Sequence, residues 1–186
     1  MTETPDLDIE INNVVATASL NQEFNLIDIF NRFTDVEYRP KQFPGLVFRL
    51  KKPKTTTLIF RTGKMVCTGA TSASIARSAI RKVVQELKDN GITVSGEPVI
   101  TVQNMVASAN LGHGVDLEAA TDLLDNVMYE PEQFPGLIYR LSEPKTVMLV
   151  FSSGKIVCTG GTSNEVVHEA VNKLYAILNE YDLFIK

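Results

Sequence analysis

Residues 42–72 read QFPGLVFRLKKPKTTTLIFRTGKMVCTGATS, and residues 133–163 read QFPGLIYRLSEPKTVMLVFSSGKIVCTGGTS. The two segments align without a gap and are identical at 20 of 31 positions. The same offset of 91 places Asn12-Asn13-Val14-Val15-Ala16 on Gln103-Asn104-Met105-Val106-Ala107, and Tyr38-Arg39-Pro40 on Tyr129-Glu130-Pro131. A repeat this long restricts the fold more than any other feature, because whatever one copy forms the other must form too. The 186 residues are expected to divide into two repeats, 9–91 and 92–186, behind an acidic, loose tail of residues 1–8. Two copies are too few for a solenoid. They point to a pseudo-two-fold molecule, as if a homodimer had been fused into one chain.

Each copy carries one pattern. Residues 9–18 alternate and are rich in β-branched side chains, which predicts a strand. Residues 24–33 suggest a short helix. Residues 37–41, 46–50, 55–60 and 64–69 suggest short strands, separated by Phe43-Pro44-Gly45, Lys52-Pro53-Lys54 and Thr62-Gly63. Ser72 is placed to cap a helix that runs to Asp89. Its apolar stripe is Ile75, Ala76, Ala79, Ile80, Val83, Val84 and Leu87. Ser163 repeats the cap, and Val166, Val167, Ala170, Val171, Leu174 and Leu178 repeat the stripe. Five short strands and one long amphipathic helix per copy predict an α+β fold, a ten-stranded antiparallel sheet with helices on one face.

Those helices leave the other face of the sheet uncovered, yet the strands are not polar there. Thr56, Leu58 and Phe60 share one side of their strand, and Lys64, Val66 and Thr68 one side of theirs. Leu149, Phe151, Val157 and Thr159 keep that parity in the second copy. A broad apolar face with no helix over it is a binding surface or a dimer interface. Matched cations border it: Arg49, Lys54 and Lys64, then Arg140, Lys145 and Lys155. Basic side chains around an apolar centre that also holds Asn and Thr suit phosphate contacts flanking a groove-reading surface.

Composition narrows the classes. With 44% hydrophobic residues the chain reads as an ordinary globular protein. It has no run of about 18 apolar residues, and its first residues lack the basic and apolar regions of a signal peptide. A cytoplasmic protein without membrane contact is expected. Cys67 and Cys158, each in Val-Cys-Thr-Gly, have no disulfide or metal-ligand spacing and are expected to be small buried residues. His113 and His168 stand alone, and no nucleophile–base–acid set is present, so neither metal, cofactor nor catalysis is expected. The net charge is −4. Residues 1–91 hold 13 Lys and Arg against 10 Asp and Glu, or +3; residues 92–186 hold 5 against 12, or −7. Similar folds of opposite charge are expected to meet different partners.

The Asn-Val-Val-Ala and Asn-Met-Val-Ala strands, the Phe before each Pro-Gly turn, the Phe-x-x-Gly-Lys corners and the Val-Cys-Thr-Gly strands together resemble the TATA-box-binding proteins of archaeal and eukaryotic transcription. The resemblance covers nearly everything from Ile9 onward, and the short N-terminal segment is similar to archaeal members. It implies a saddle-shaped sheet that sits in the minor groove of double-stranded DNA at a TATA element and bends it. Phe43 and Phe60 would wedge into a base step at one end of the site, Phe134 and Phe151 at the other. Asn13 and Asn104, joined by Thr68 and Thr159, would hydrogen-bond groove acceptors at the central step. Val15, Leu58, Val66, Val106, Leu149 and Val157 would pack on the groove floor. Arg49, Lys64, Arg140 and Lys155 would hold phosphates.

The resemblance also implies a partner. Transcription factor B would dock on the second stirrup through Glu130, Glu132 and Gln133, and bring in RNA polymerase. The first stirrup carries Arg39 and Lys41 instead, so a basic partner would choose the second. Both stirrups have proline after the phenylalanine, Pro44 and Pro135, where many eukaryotic relatives have a small residue in the first. Nearly equivalent DNA-facing halves, able to bind in both orientations, are therefore expected. The sequence leaves open a homodimer of the DNA-free protein through the same face. The implied location is the archaeal cytoplasm at the nucleoid, or the nucleus of a eukaryote.

Overall fold

A computed structural model of the chain describes residues 5–185; half of the expected loose tail, residues 1–4, lies outside them. Residues 13–103 form one compact unit, and the chain up to Asn12 together with the chain from Asn104 forms the other. The first copy runs β1 (Ile9–Ser19), α1 (Leu26–Arg32), β2 (Val36–Glu37), β3 (Leu46–Lys51), β4 (Lys54–Ile59), β5 (Lys64–Ala70) and α2 (Ala73–Asp89). The second runs β6 (Val99–Asn110), β7 (Gly114–Val115), α3 (Leu117–Leu123), β8 (Val127–Met128), β9 (Leu137–Ser142), β10 (Lys145–Val150), β11 (Lys155–Gly161), α4 (Asn164–Glu180) and β12 (Phe184–Ile185). Ten strands make one antiparallel sheet in the order β2-β3-β4-β5-β1-β6-β11-β10-β9-β8. Its outermost strands, β2 and β8, are two residues long.

The long helices start where their caps put them. The Ser72 hydroxyl accepts the Ile75 N–H at 3.1 Å, and Ser163 accepts the Val166 N–H at 3.2 Å. In α2 the expected stripe is buried apart from its first member: Ala76, Ala79, Ile80, Val83, Val84 and Leu87 are inside, and Ile75 is half-buried. The stripe lies on the sheet face made by Val14, Ala16, Leu46, Phe48, Ile59, Met65 and Cys67, all buried. Each fully buried leucine or isoleucine of this layer is worth roughly 2–5 kcal/mol against alanine. Lys82 of α2 donates from Nζ to the Lys52 carbonyl in the β3–β4 turn, and Lys173 of α4 donates likewise to Glu143. These bonds fix each helix lengthwise over its turn.

Two local expectations change, and one element was not expected. The strand expected at 37–41 stops at Glu37. Pro40 has no N–H for a ladder, and the Arg39 carbonyl accepts the N–H groups of both Gln42 and Phe43, at 2.9 and 3.0 Å, closing a tight turn. The helix expected over 24–33 begins at Leu26, because the Asn25 side chain caps it by accepting the Asp28 N–H and Phe24 is buried ahead of it. Beyond the main sheet, β12 pairs with β7 as a two-stranded ribbon that no sequence pattern announced.

Candidate nucleic-acid interface

Strand alternation sorts the side chains of each unit. In residues 13–103, Val14, Ala16, Ala18, Ile59, Met65 and Cys67 go under the helices. Asn13, Val15, Thr17, Leu58, Val66 and Thr68 point the other way and are half-buried, with no helix over them. The register lines them up: Val47 stands opposite Leu58, Leu58 opposite Val66, and Val66 opposite Thr17. Residues 104–185 build the matching row, Ile138 opposite Leu149, Leu149 opposite Val157, and Val157 opposite Ser108. Each unit thus offers a band one residue wide across several strands, aliphatic except for Thr17 or Ser108 at its inner end. Val47, Thr17, Ile138 and Ser108 belong to these bands and were not among the residues singled out from the sequence.

The aromatic side chains come in pairs. The Phe43 and Phe60 rings lie with centroids 5.8 Å apart at 72°, and Phe134 and Phe151 are 5.8 Å apart at 68°. This edge-to-face contact is the favoured one for two rings. Phe43 and Phe134 remain 39% and 37% exposed, high for phenylalanine in a folded protein. The glycine after each proline provides clearance rather than a turn conformation. A Cβ on Gly45 would stand 2.7 Å from Phe43 Cε1 and 3.1 Å from Phe60 Cε1, and one on Gly136 would stand 2.8 and 3.1 Å from the matching atoms of Phe134 and Phe151.

The polar centre of each unit rests on a β-bulge. The β1–β5 register shifts between Val14 and Ala16, so Thr68 and Gly69 face one residue of β1. Gly69 takes φ +98°, open to glycine, and its N–H leaves the ladder to donate to Asn13 Oδ1 at 2.7 Å. Asn13 Nδ2 donates to Thr68 Oγ1 at 3.1 Å. The second unit repeats this at Gly160 (φ +99°), whose N–H donates to Asn104 Oδ1 at 2.6 Å, while Asn104 Nδ2 donates to Thr159 Oγ1 at 3.1 Å. A backbone N–H on the oxygen settles which end of the carboxamide is which. The second Nδ2 hydrogen of each asparagine has no acceptor among the described residues. Gly69 and Gly160, which hold the two amides, were not singled out from the sequence; their signal was the Thr-Gly pair in mid-strand.

The cations divide. Lys64 and Lys155 are exposed at the starts of β5 and β11. Arg49 and Arg140 sit two residues beyond Val47 and Ile138 on the open side. Arg49 forms an ion pair with Glu37 at 3.3 Å; no ion pair forms at Arg140 among the described residues. Glu130, Glu132 and Gln133 are exposed on the turn between β8 and β9, away from the band, where the Glu130 carbonyl accepts the Gln133 and Phe134 N–H groups at 2.9 Å. No group of three or more His, Cys, Asp or Glu able to hold a metal occurs among the described residues, and no helix is long and apolar enough to cross a membrane.

These features define a class: duplicated α+β proteins whose sheet carries helices on one face and, on the other, a repeated field of aliphatic, aromatic and amide side chains. Residues 8–90 and 99–181 each match the model of the family described as "Transcription factor TFIID (or TATA-binding protein, TBP)", and the chain belongs to that family. The TATA-box-binding protein of Pyrobaculum aerophilum is 55% identical over 170 residues, which is 91% of this chain and 85% of that protein. That of Sulfurisphaera tokodaii is 49% identical over 186 residues, 98% of this chain and 94% of the other. The solved structure of Methanococcus jannaschii TBP superimposes with a TM-score of 0.86 at 46% identity, covering 93% of this chain and 99% of that one.

Proposed function

We propose that the protein is a general transcription initiation factor that binds TATA elements in the minor groove of duplex DNA, bends them, and recruits transcription factor B and through it RNA polymerase. The observation that carries the reading is the pair of half-exposed phenylalanine rings, present twice and each seated over a glycine that clears space for both rings. A rigid apolar wedge of this kind enters a base step and unstacks it, a mechanism for which this family is the standard example. Phe43 and Phe60 act at one end of the element, Phe134 and Phe151 at the other. The repeats 9–91 and 92–186 each read half a site.

The remaining chemistry selects A·T pairs. Thymine O2 and adenine N3 are acceptors on the groove floor, and the spare amide hydrogens of Asn13 and Asn104, with the hydroxyls of Thr68 and Thr159, suit them. A guanine would push its N2 amino group against Val15, Leu58, Val66, Val106, Leu149 and Val157, where a buried donor without a partner costs about 1–3 kcal/mol. Steps of TA type unstack easily, so the wedge is least costly at a TATA sequence. Arg49, Lys64, Arg140 and Lys155 hold phosphates, a contact that fixes register but carries no sequence information.

The test is a duplex labelled at both ends for energy transfer, with a TATA element in one version and G·C pairs in the other, titrated with the wild type and Phe151→Ala. A bend on TATA alone that shrinks in the variant is the expected result. An unbent duplex at saturation would remove the wedge mechanism. Failure to bind either duplex would leave the aliphatic band as a protein interface, and the dimer of the DNA-free protein would be the reading to pursue.

A further inference from the structure

The residues assigned to DNA contact are identical between the repeats, pair by pair, so a difference right beside one of them carries information. Such a difference lies beside a phosphate-holding arginine. Glu37 pairs across the sheet with Val47, two residues before Arg49; its counterpart Met128 pairs with Ile138, two residues before Arg140. In the first unit the carboxylate reaches the guanidinium at 3.3 Å, with the two side chains 52% and 53% exposed. In the second unit the same place holds an uncharged thioether, 54% exposed. Neither Arg39 nor Lys41 makes an ion pair among the described residues, so Glu37 is committed to Arg49.

We infer that Glu37 makes the two DNA-facing ends unequal: it competes with phosphate for Arg49, while Arg140 is free to grip the backbone. This rests on the reading that the open face holds DNA. An arginine already neutralised by a carboxylate releases fewer counterions when it meets a phosphate, because the protein has supplied the counter-charge itself. A phosphate that does pair with Arg49 comes close to Glu37 as well, and like charges repel. The end of the element under Phe134 and Phe151 is therefore held more tightly than the end under Phe43 and Phe60. The near-equivalence expected from Pro44 and Pro135 stops at the phosphate contacts, and the protein alone has a preferred orientation on any element whose two flanks differ in groove potential.

The experiment is equilibrium binding to a labelled TATA duplex at several salt concentrations between 0.05 and 0.2 M, for Arg49→Gln and Arg140→Gln in three backgrounds: wild type, Glu37→Met and Met128→Glu. All these positions are exposed, and thermal melting checks that each variant is folded. In the wild-type background R140Q is expected to flatten the log–log salt slope by about 0.9 and to weaken binding about eightfold at 0.1 M salt, the counterion-release value of one phosphate contact. R49Q is expected to cost less than about threefold. In the E37M background the cost of R49Q rises to that of R140Q; in the M128E background the cost of R140Q falls to that of R49Q. Equal costs in the wild type, or an R49Q cost that E37M leaves unchanged, would overturn the inference while the DNA-binding reading stood. A wild-type protein that did not prefer the TATA duplex at all would overturn both.

Discussion

Asn13 and Asn104 show how one side chain can be spent in two directions. The oxygen of each is held by a glycine N–H from its own bulge, at 2.7 and 2.6 Å, which turns the amide nitrogen outward. Asn104→Asp keeps the inward acceptor and replaces the outward donor with a charged oxygen. Its melting temperature should stay near that of the wild type, while its affinity for a TATA duplex, read by fluorescence anisotropy, should fall roughly 10–100-fold from the lost donor bond. Wild-type affinity would take Asn104 off the reading surface. The alternation that puts Asn13, Leu58 and Val66 on the open side was legible in the sequence, because a strand's period of two leaves no freedom about which residues share a face. The bulge that orients the amides was not. Thr-Gly occurs in regular strands, turns and bulges alike, and only the pairing with β1 reveals which it is. Gly45 was legible as a turn residue for the same local reason, whereas its role as clearance for two rings depends on Phe60, which is 15 residues away in the chain.

Among the elements, the clearest difference between the repeats lies inside the β4–β5 pair and its partner. Thr57 stands opposite Cys67, where the second copy has Met148 opposite Cys158. Thr57 is fully buried, and its hydroxyl has no oxygen or nitrogen partner. The Cys67 thiol lies beside it, its pKa pushed up by burial and pulled partly back by the Thr57 and Thr55 hydroxyls. Thr57→Val removes the stranded hydroxyl and keeps the shape, so it should stabilise the fold by about 1 kcal/mol, read as a rise of a few degrees in the melting midpoint. An unchanged or lower midpoint would mean that the thiol satisfies the hydroxyl. Burial also pushes Cys158 from 9.0 up to about 11. Such a thiol keeps its proton in the folded chain and loses it first in the unfolded one, so its contribution to stability is complete below pH 9 and is lost as pH rises toward 11. The 17-residue helices were legible to within a residue, since a serine cap and an apolar stripe agree. The strand at 37–41 was legible only as an overlong version of β2, and β7 and β12 were not legible at all, because two residues cannot display a period.

On the scale of the whole molecule, the charge difference of +3 against −7 is the feature that duplication alone would not leave behind. If transcription factor B is recruited through the second stirrup, Glu130→Lys with Glu132→Lys should leave TATA binding unchanged or tighter and abolish the ternary complex in a gel-shift assay with that factor. A ternary complex that forms normally would move the docking site elsewhere. A ten-stranded sheet normally faces a hazard at its two borders, where unpaired backbone groups invite another chain to add a strand. Here each border strand offers two residues, Val36–Glu37 or Val127–Met128, before the chain leaves the ladder for a turn built around Pro40 or Pro131. A border strand of two residues is too short to template an eleventh strand, so β2 and β8 close the sheet against copies of the chain zippering onto it.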